Sequence, residues 1–142
     1  MAIDDTERAR RRALFRAHFA VENHHQLDGI MATFAPDAVM LYNRDRFADD
    51  AAIRGAHAYM GFSTSAGALE GLETIVDAEH FTDDEVVIEG RVCAKHVGEF
   101  QGFAPTGRMV ELPYVAFYRF DGDGKLTSER VIMNLGVLLD RR

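Results

Sequence analysis

Apolar residues in the first part of the chain recur at three- and four-residue spacing, which is typical of amphipathic helices. The face that they form in the first helix comprises Leu14, Ala17, His18 and Val21. Asp4 or Asp5 can cap this helix, which is predicted to run to about Asn23. A second, shorter helix should end before Pro36, because proline cannot continue it, and a third should follow from Asp50.

The remainder of the chain alternates apolar and polar residues, which predicts strands. The strands are expected at residues 38–43, 69–81, 86–97, 109–120 and 126–135. Acidic residues and glycines at 121–124 favour a hairpin turn between the last two strands. Helices followed by a long antiparallel meander predict one α+β domain over residues 1–142, with a strongly curved sheet folded around the N-terminal helices.

Strand alternation places His96 at the end of an apolar row, facing inward. The row consists of Val86, Ile88, Gly90, Val92, Ala94 and His96. An imidazole titrates near neutrality, and burial favours its neutral form, which can accept a proton. His96 is therefore a candidate proton acceptor, and the alternative is a core histidine that is hydrogen-bonded to a backbone carbonyl.

In the last strand the same alternation predicts one face that carries Leu126, Ser128, Arg130, Ile132 and Asn134. The Asn134 amide has no proton that titrates near neutrality, but its N–H groups could polarise a carbonyl or hold an enolate. Alternatively, Asn134 only turns the chain into its C-terminal segment. Tyr42, Asn43, Tyr114 and Ile132 are candidates for contacting a bound molecule, although Tyr42 could simply pack into the core.

The composition excludes several kinds of partner. The formal net charge is −7, so the chain should repel phosphate backbones, and we expect no nucleic acid. No apolar run approaches the roughly 20 residues that cross a bilayer, so we expect no membrane partner.

One cysteine, Cys93, and no apolar segment after Met1 favour a cytoplasmic protein. His24 and His25 are adjacent rather than spaced for a helical metal site, and there is no nucleotide-binding loop, so we expect no metal and no cofactor.

Two segments near the C-terminus resemble one known family. Residues 96–108 read His-Val-Gly-Glu-Phe-Gln-Gly-Phe-Ala-Pro-Thr-Gly-Arg, and residues 128–131 read Ser-Glu-Arg-Val, followed by Asn134 and a Leu-Leu pair at 138–139. Both are similar to the SnoaL-like polyketide cyclases, which belong to the nuclear transport factor 2-like (cystatin-like) superfold. The resemblance implies a cone-shaped sheet with a ligand at its open end, and an aldol closure that needs no metal or cofactor. It also implies an acid/base Asp at the position that Asn134 occupies.

The function expected from these residues is binding of a small hydrophobic molecule that bears carbonyls, in an apolar pocket. A cofactor-free cyclase or isomerase would use His96 as proton acceptor and Asn134 as hydrogen-bond donor. Because Asn134 replaces the Asp, the alternative is a non-catalytic binding protein, and a third possibility is a purely structural dimer. Residues 115–120 are largely nonpolar on both strand faces, which predicts a homodimer.

Overall fold

The helices lie mainly at the start of the chain in the computed structural model, which describes residues 2–64 and 67–139. They are α1 (Asp5–Asn23), α2 (Leu27–Met31), α3 (Asp50–Met60) and a short 3₁₀ helix (Leu135–Leu139). The carboxylate of Asp4 caps α1 by accepting the Glu7 N–H at 2.8 Å, as predicted. No helix in these ranges is long and apolar enough to span a membrane.

Within the described residues, six strands form one sheet in the order β2-β1-β6-β5-β4-β3. They are β1 (Phe34–Tyr42), β2 (Asp45–Phe47), β3 (Leu69–Phe81), β4 (Val86–His96), β5 (Met109–Phe120) and β6 (Leu126–Met133). The predicted antiparallel meander is confirmed for β3 to β6. The strand β2 lies between residues 38–43 and the third helix, where no strand was predicted. In addition, β1 pairs with β6 in parallel, which the sequence did not indicate.

The first strand starts earlier than predicted and contains Pro36. Proline lacks an N–H group and cannot take part in a regular ladder. The pairing of β1 with β6 accordingly shifts register between Phe34 and Val39, and it becomes regular only from Val39 to Tyr42. These last residues of β1 carry the side chains that reach the interior of the curved sheet.

The core lies between the concave face of the sheet and the helices. Phe19 of α1 packs edge-on against Phe15 at 5.7 Å and against Tyr118 of β5 at 5.6 Å between ring centroids. The apolar row predicted on β4 is buried from Val86 to His96. This α+β arrangement of a curved open sheet with N-terminal helices confirms the predicted fold class.

Candidate active site

His96 faces inward, as predicted, and is fully buried. Its Nδ1 accepts a hydrogen bond from the Thr106 N–H at 3.3 Å and lies 3.2 Å from the Thr106 hydroxyl, so the ring is fixed by the turn before β5. Its Nε2 has no hydrogen-bond partner among residues 2–64 and 67–139. The ring does not line the cavity inside the cone.

Asn134 and Ile132 lie on the outer face of the sheet, where they line an open groove with Tyr114, so the prediction that they face the interior of the cone is wrong. Ile132 is 61% exposed, and the Asn134 side-chain oxygen accepts the Gly136 N–H at 2.9 Å. The error comes from an irregularity where β5 meets β6, between Arg119 and Phe120. It leaves Leu126 buried but turns the following even-numbered residues outward. Their inward neighbours are Glu129, Val131 and Met133. His96 and Asn134 therefore do not meet in one cavity.

Of the other predicted contact residues, two line the cavity inside the cone and one does not. Tyr42 and Tyr114 line the cavity inside the cone. Asn43 instead joins chain segments: its amide donates to Gln101 Oε1 at 3.0 Å, and its oxygen accepts the Met133 N–H at 2.8 Å. Asn43 has a φ of 53°, in the left-handed region that asparagine tolerates better than most residues, so its role here is structural.

The cavity inside the cone has a volume of about 20 Å³, which is room for roughly one water molecule. Among the described residues, twelve line this cavity, and five of them are methionine, valine or phenylalanine. Six ionisable side chains also face it: Glu22, Tyr42, His57, Tyr114, Tyr118 and Glu129. The Tyr114 hydroxyl and Glu129 Oε2 have no hydrogen-bond partner in the described part of the chain. Polar atoms thus converge on a small and otherwise apolar space.

A buried histidine lies behind two of these carboxylates. Nε2 of His18 is 2.7 Å from Glu22 Oε1 and 3.5 Å from Glu129 Oε1. On the other side of the ring, Nδ1 is 2.7 Å from the Thr33 hydroxyl oxygen. That hydroxyl donates its own proton to the Ile30 carbonyl at 2.6 Å, so it accepts from His18 Nδ1–H.

Charge and burial set the protonation of this group. Burial alone would lower the pKa of His18, but the carboxylates of Glu22 and Glu129 outweigh it and raise the pKa to about 10. Burial would raise the pKa of Glu129, whereas its contact with His18 lowers that pKa below the ordinary value. Burial also raises the pKa of the Tyr114 hydroxyl. At neutral pH the site therefore contains an imidazolium, ionised Glu129 and a protonated tyrosine.

Sequence reasoning missed most of this group. His18 and Glu22 lie four residues apart on α1, and this spacing places both side chains on one side of a helix. That i, i+4 pair is a usable signal in the sequence, unlike the adjacent His24 and His25. Glu129 was hidden because the predicted register of β6 put it on the wrong face.

A cone-shaped curved sheet with ionisable groups in its interior defines a class of small α+β domains of the nuclear transport factor 2-like superfold. The sequence profile of the SnoaL-like domain matches residues 15–129. The chain belongs to this SnoaL-like domain family, as its C-terminal motifs suggested. No curated protein sequence gives a significant match.

Solved structures with the same fold include proteins named for small-molecule chemistry. AclR from Streptomyces galilaeus, a candidate hydroxylase, is 29% identical with a TM-score of 0.75, covering 92% of this chain and 83% of AclR. A candidate SnoaL-like polyketide cyclase from Jannaschia sp. CCS1 is 20% identical with a TM-score of 0.77, over 92% and 90% of the two chains. A protein with a ketosteroid isomerase-like fold from Catenulispora acidiphila, solved with trimethylamine, is 16% identical with a TM-score of 0.72, over 89% and 88%.

Proposed function

We propose that the chain binds a small hydrophobic molecule bearing a carbonyl inside the cone and removes a proton next to that carbonyl, as a cofactor-independent isomerase or cyclase does. One observation carries the proposal. The Glu129 carboxylate and the Tyr114 hydroxyl face the same cavity, and each has an oxygen without a hydrogen-bond partner in the described chain. The cyclase name of structural relatives supports the same substrate class.

In this proposal Glu129 accepts the proton and the Tyr114 hydroxyl donates a hydrogen bond to the carbonyl oxygen, which becomes the enolate oxygen. Ionised Glu129 can act as a base at neutral pH, and the raised pKa of Tyr114 keeps its donor proton in place. A preorganised donor in the same cavity as a carboxylate base stabilises the charge that develops on the oxygen. His96 and Asn134 are not needed for this step, because neither lines the cavity.

A cavity of about 20 Å³ is too small for such a molecule, so binding requires side chains to move. Met40 and Met60 line the cavity and are suited to this, because methionine is unbranched and has several rotatable bonds. We therefore expect binding to expand the cone interior rather than to fill an existing pocket.

The test is hydrogen exchange at the carbon next to a ketone. Chelator-treated protein is incubated in D₂O with a panel of hydrophobic cyclic ketones and 1,3-diketones, and loss of the α-proton signal is followed by NMR. We expect exchange with the wild-type protein and a decrease of about 10²–10⁴-fold in Glu129→Gln. Exchange should also be slower in Tyr114→Phe than in the wild type, because this variant lacks the hydroxyl that donates to the carbonyl oxygen.

Matched controls come from His96 and Asn134, the two predicted catalytic residues that do not line the cavity. His96→Asn and Asn134→Ala should exchange at the wild-type rate. Exchange that survives Glu129→Gln, or that disappears in His96→Asn while that variant remains folded by circular dichroism, contradicts the proposal.

A non-catalytic binding protein is the second candidate, because Asn134 replaces the acid/base Asp of the family and the interior is nearly filled. It predicts ketone binding by isothermal calorimetry without any exchange. The Tyr114→Phe variant should then weaken binding, and His96→Asn should not.

A further inference from the structure

Three metal-ligating side chains from two helices converge at the wall of the cavity. His18 and Glu22 belong to α1, and His57 belongs to α3. One ligand atom from each lies within 4.8 Å of the other two, and all three side chains are more than nine-tenths buried. Burial makes this arrangement different from the exposed acidic clusters that are common on protein surfaces.

Hydrogen bonds engage Nδ1 of both histidine rings, which makes Nε2 the candidate ligand atom of each. Nδ1 of His57 is 2.8 Å from the Ile53 carbonyl, which can only accept, so this nitrogen carries the proton. Nδ1 of His18 is likewise held by the Thr33 hydroxyl, which already donates to a backbone carbonyl. Metal-binding histidines typically donate their second ring N–H in this way, which fixes the tautomer and orients the ring.

The charge of the site also fits a cation. The described residues that line the cavity include two glutamates, Glu22 and Glu129, and neither lysine nor arginine. The His18 imidazolium lies against both carboxylates in the metal-free protein, and a divalent ion that displaces its proton would supply the compensating charge instead. His18 Nε2 and Glu22 Oε1 lie 2.7 Å apart and pair with each other in the metal-free protein. A metal ion that displaces the Nε2 proton can take both atoms as ligands.

We propose that His18, Glu22 and His57 form a binding site for a divalent first-row transition-metal ion. Two imidazoles and one carboxylate are the donor set that proteins use for zinc and for non-haem iron(II). Bonds of about 2.1 Å place tetrahedral ligand atoms about 3.4 Å apart, so side-chain movements of about 1 Å complete the site. This site goes beyond the proposed proton transfer, because it leaves Glu129 outside the ligand set.

The test measures metal content and not activity. Purified protein is stripped with EDTA, dialysed against Zn²⁺, Mn²⁺ or anaerobic Fe²⁺, passed through a desalting column and analysed by mass spectrometry for bound metal. We expect about one equivalent of at least one ion, and at least tenfold weaker retention in His57→Gln and Glu22→Gln. Wild-type protein that retains less than a tenth of an equivalent of every ion overturns the proposal.

Two control variants identify binding elsewhere. His96→Gln removes a buried histidine outside the cluster, and a double variant at His24 and His25 removes the adjacent surface pair. Both should retain metal like the wild type. Loss of metal in the double variant but not in His57→Gln would place the ion outside the cone and overturn the proposal.

A spectroscopic measurement on the wild-type protein does not depend on how the variants fold. Co²⁺ bound by buried nitrogen and carboxylate ligands in low coordination absorbs far more strongly in the visible than hexaaqua Co²⁺ does. We expect such a band to saturate at one equivalent and to disappear on adding Zn²⁺. A spectrum identical to Co²⁺ in buffer contradicts the site. Because the ketone exchange test uses chelator-treated protein, either proposal can fail without the other.

Discussion

Glu22 Oε1 lies 2.7 Å from Nε2 of His18, one helical turn earlier in α1, and both side chains are buried in the cone. Glu129 approaches the same nitrogen from β6, at 3.5 Å. In the metal-free protein one imidazolium therefore faces two carboxylates. The stability of the fold should depend on these three residues unequally.

Of the three residues, replacing His18 should lower the free energy of unfolding most, because it removes the positive charge. His18→Leu leaves Glu22 and Glu129 without their cationic partner, so we expect the free energy of unfolding in EDTA to fall by about 3–5 kcal/mol at neutral pH. Glu129→Gln leaves one carboxylate opposite the imidazolium and should cost less. Urea denaturation measures both changes.

The exposed pair of His80 and Glu89, whose side chains are 57% and 56% exposed, provides the control. His80→Leu should change stability by no more than about 1 kcal/mol, because surface ion pairs contribute little. Equal losses in His18→Leu and His80→Leu would show that the buried group does not depend on the His18 charge.

Asn134 should contribute to stability and not to chemistry. Its side-chain oxygen accepts the Gly136 N–H at 2.9 Å, at the start of the 3₁₀ helix Leu135–Leu139, and thus acts as an N-cap. Asn134→Ala should lower the free energy of unfolding by about 1 kcal/mol, whereas Asn134→Asp keeps the acceptor and should be close to wild type.

The same two variants test whether the family's acid/base position matters here. Restoring the Asp by Asn134→Asp should give no gain in ketone exchange, because this side chain lies outside the cavity. A gain in rate would mean that the end of β6 turns inward when the substrate binds.

Much of the fold could be predicted because its signals are local. Periodicity located α1 and the strands β3 to β6, and a motif in the C-terminal half identified the family. The parallel pairing of β1 with β6 joins residues such as Tyr42 and Val131, far apart in sequence, so no local pattern could show it.

The candidate site was harder to predict, because alternation is reliable only within an uninterrupted ladder. One irregularity near Phe120 reversed the faces of β6, and the prediction exchanged Glu129 for Asn134 and Ile132. Two predicted contact residues, Tyr42 and Tyr114, line the cavity inside the cone. His57 of α3 lies near His18 of α1, and no local sequence pattern indicates that these two helices bring the residues together.

The predicted homodimer should form through the outer face of the sheet. Ile132 is 61% exposed there and pairs across the ladder with half-buried Val115. Exposed apolar groups on a sheet face are typical of interaction surfaces. Ile132→Asp should weaken dimerisation at least tenfold by sedimentation equilibrium.

Val97→Asp is the matched control, since it places the same charge on a 38% exposed valine beyond the end of β4. It should leave the dimer intact. Monomeric wild-type protein at the same concentrations would contradict the prediction of a homodimer.

Two glycines in different surroundings should respond to alanine in opposite directions. A Cβ on Gly90, in β4, would lie 2.3 Å from the Ile75 carbonyl oxygen of β3 and 2.9 Å from the Tyr114 hydroxyl. The backbone contact cannot be relieved by a side-chain rotation, so Gly90→Ala should destabilise the fold by about 1–3 kcal/mol. Gly55 lies within α3, and a Cβ there meets nothing within 4 Å. Gly55→Ala should therefore stabilise by about 0.5–1 kcal/mol through helix propensity.

Gly90→Ala should also affect the candidate active site, because the added methyl group displaces the Tyr114 hydroxyl from its position at the cavity. We expect slower ketone exchange or weaker ketone binding in Gly90→Ala at temperatures where the variant is fully folded, and no change in Gly55→Ala. Unfolding in urea and the NMR exchange assay on the same preparations separate the two effects. A Gly90→Ala protein with wild-type exchange would show that the position of the Tyr114 hydroxyl is not critical, and the donor role would then have to be sought at Tyr42 or Tyr118.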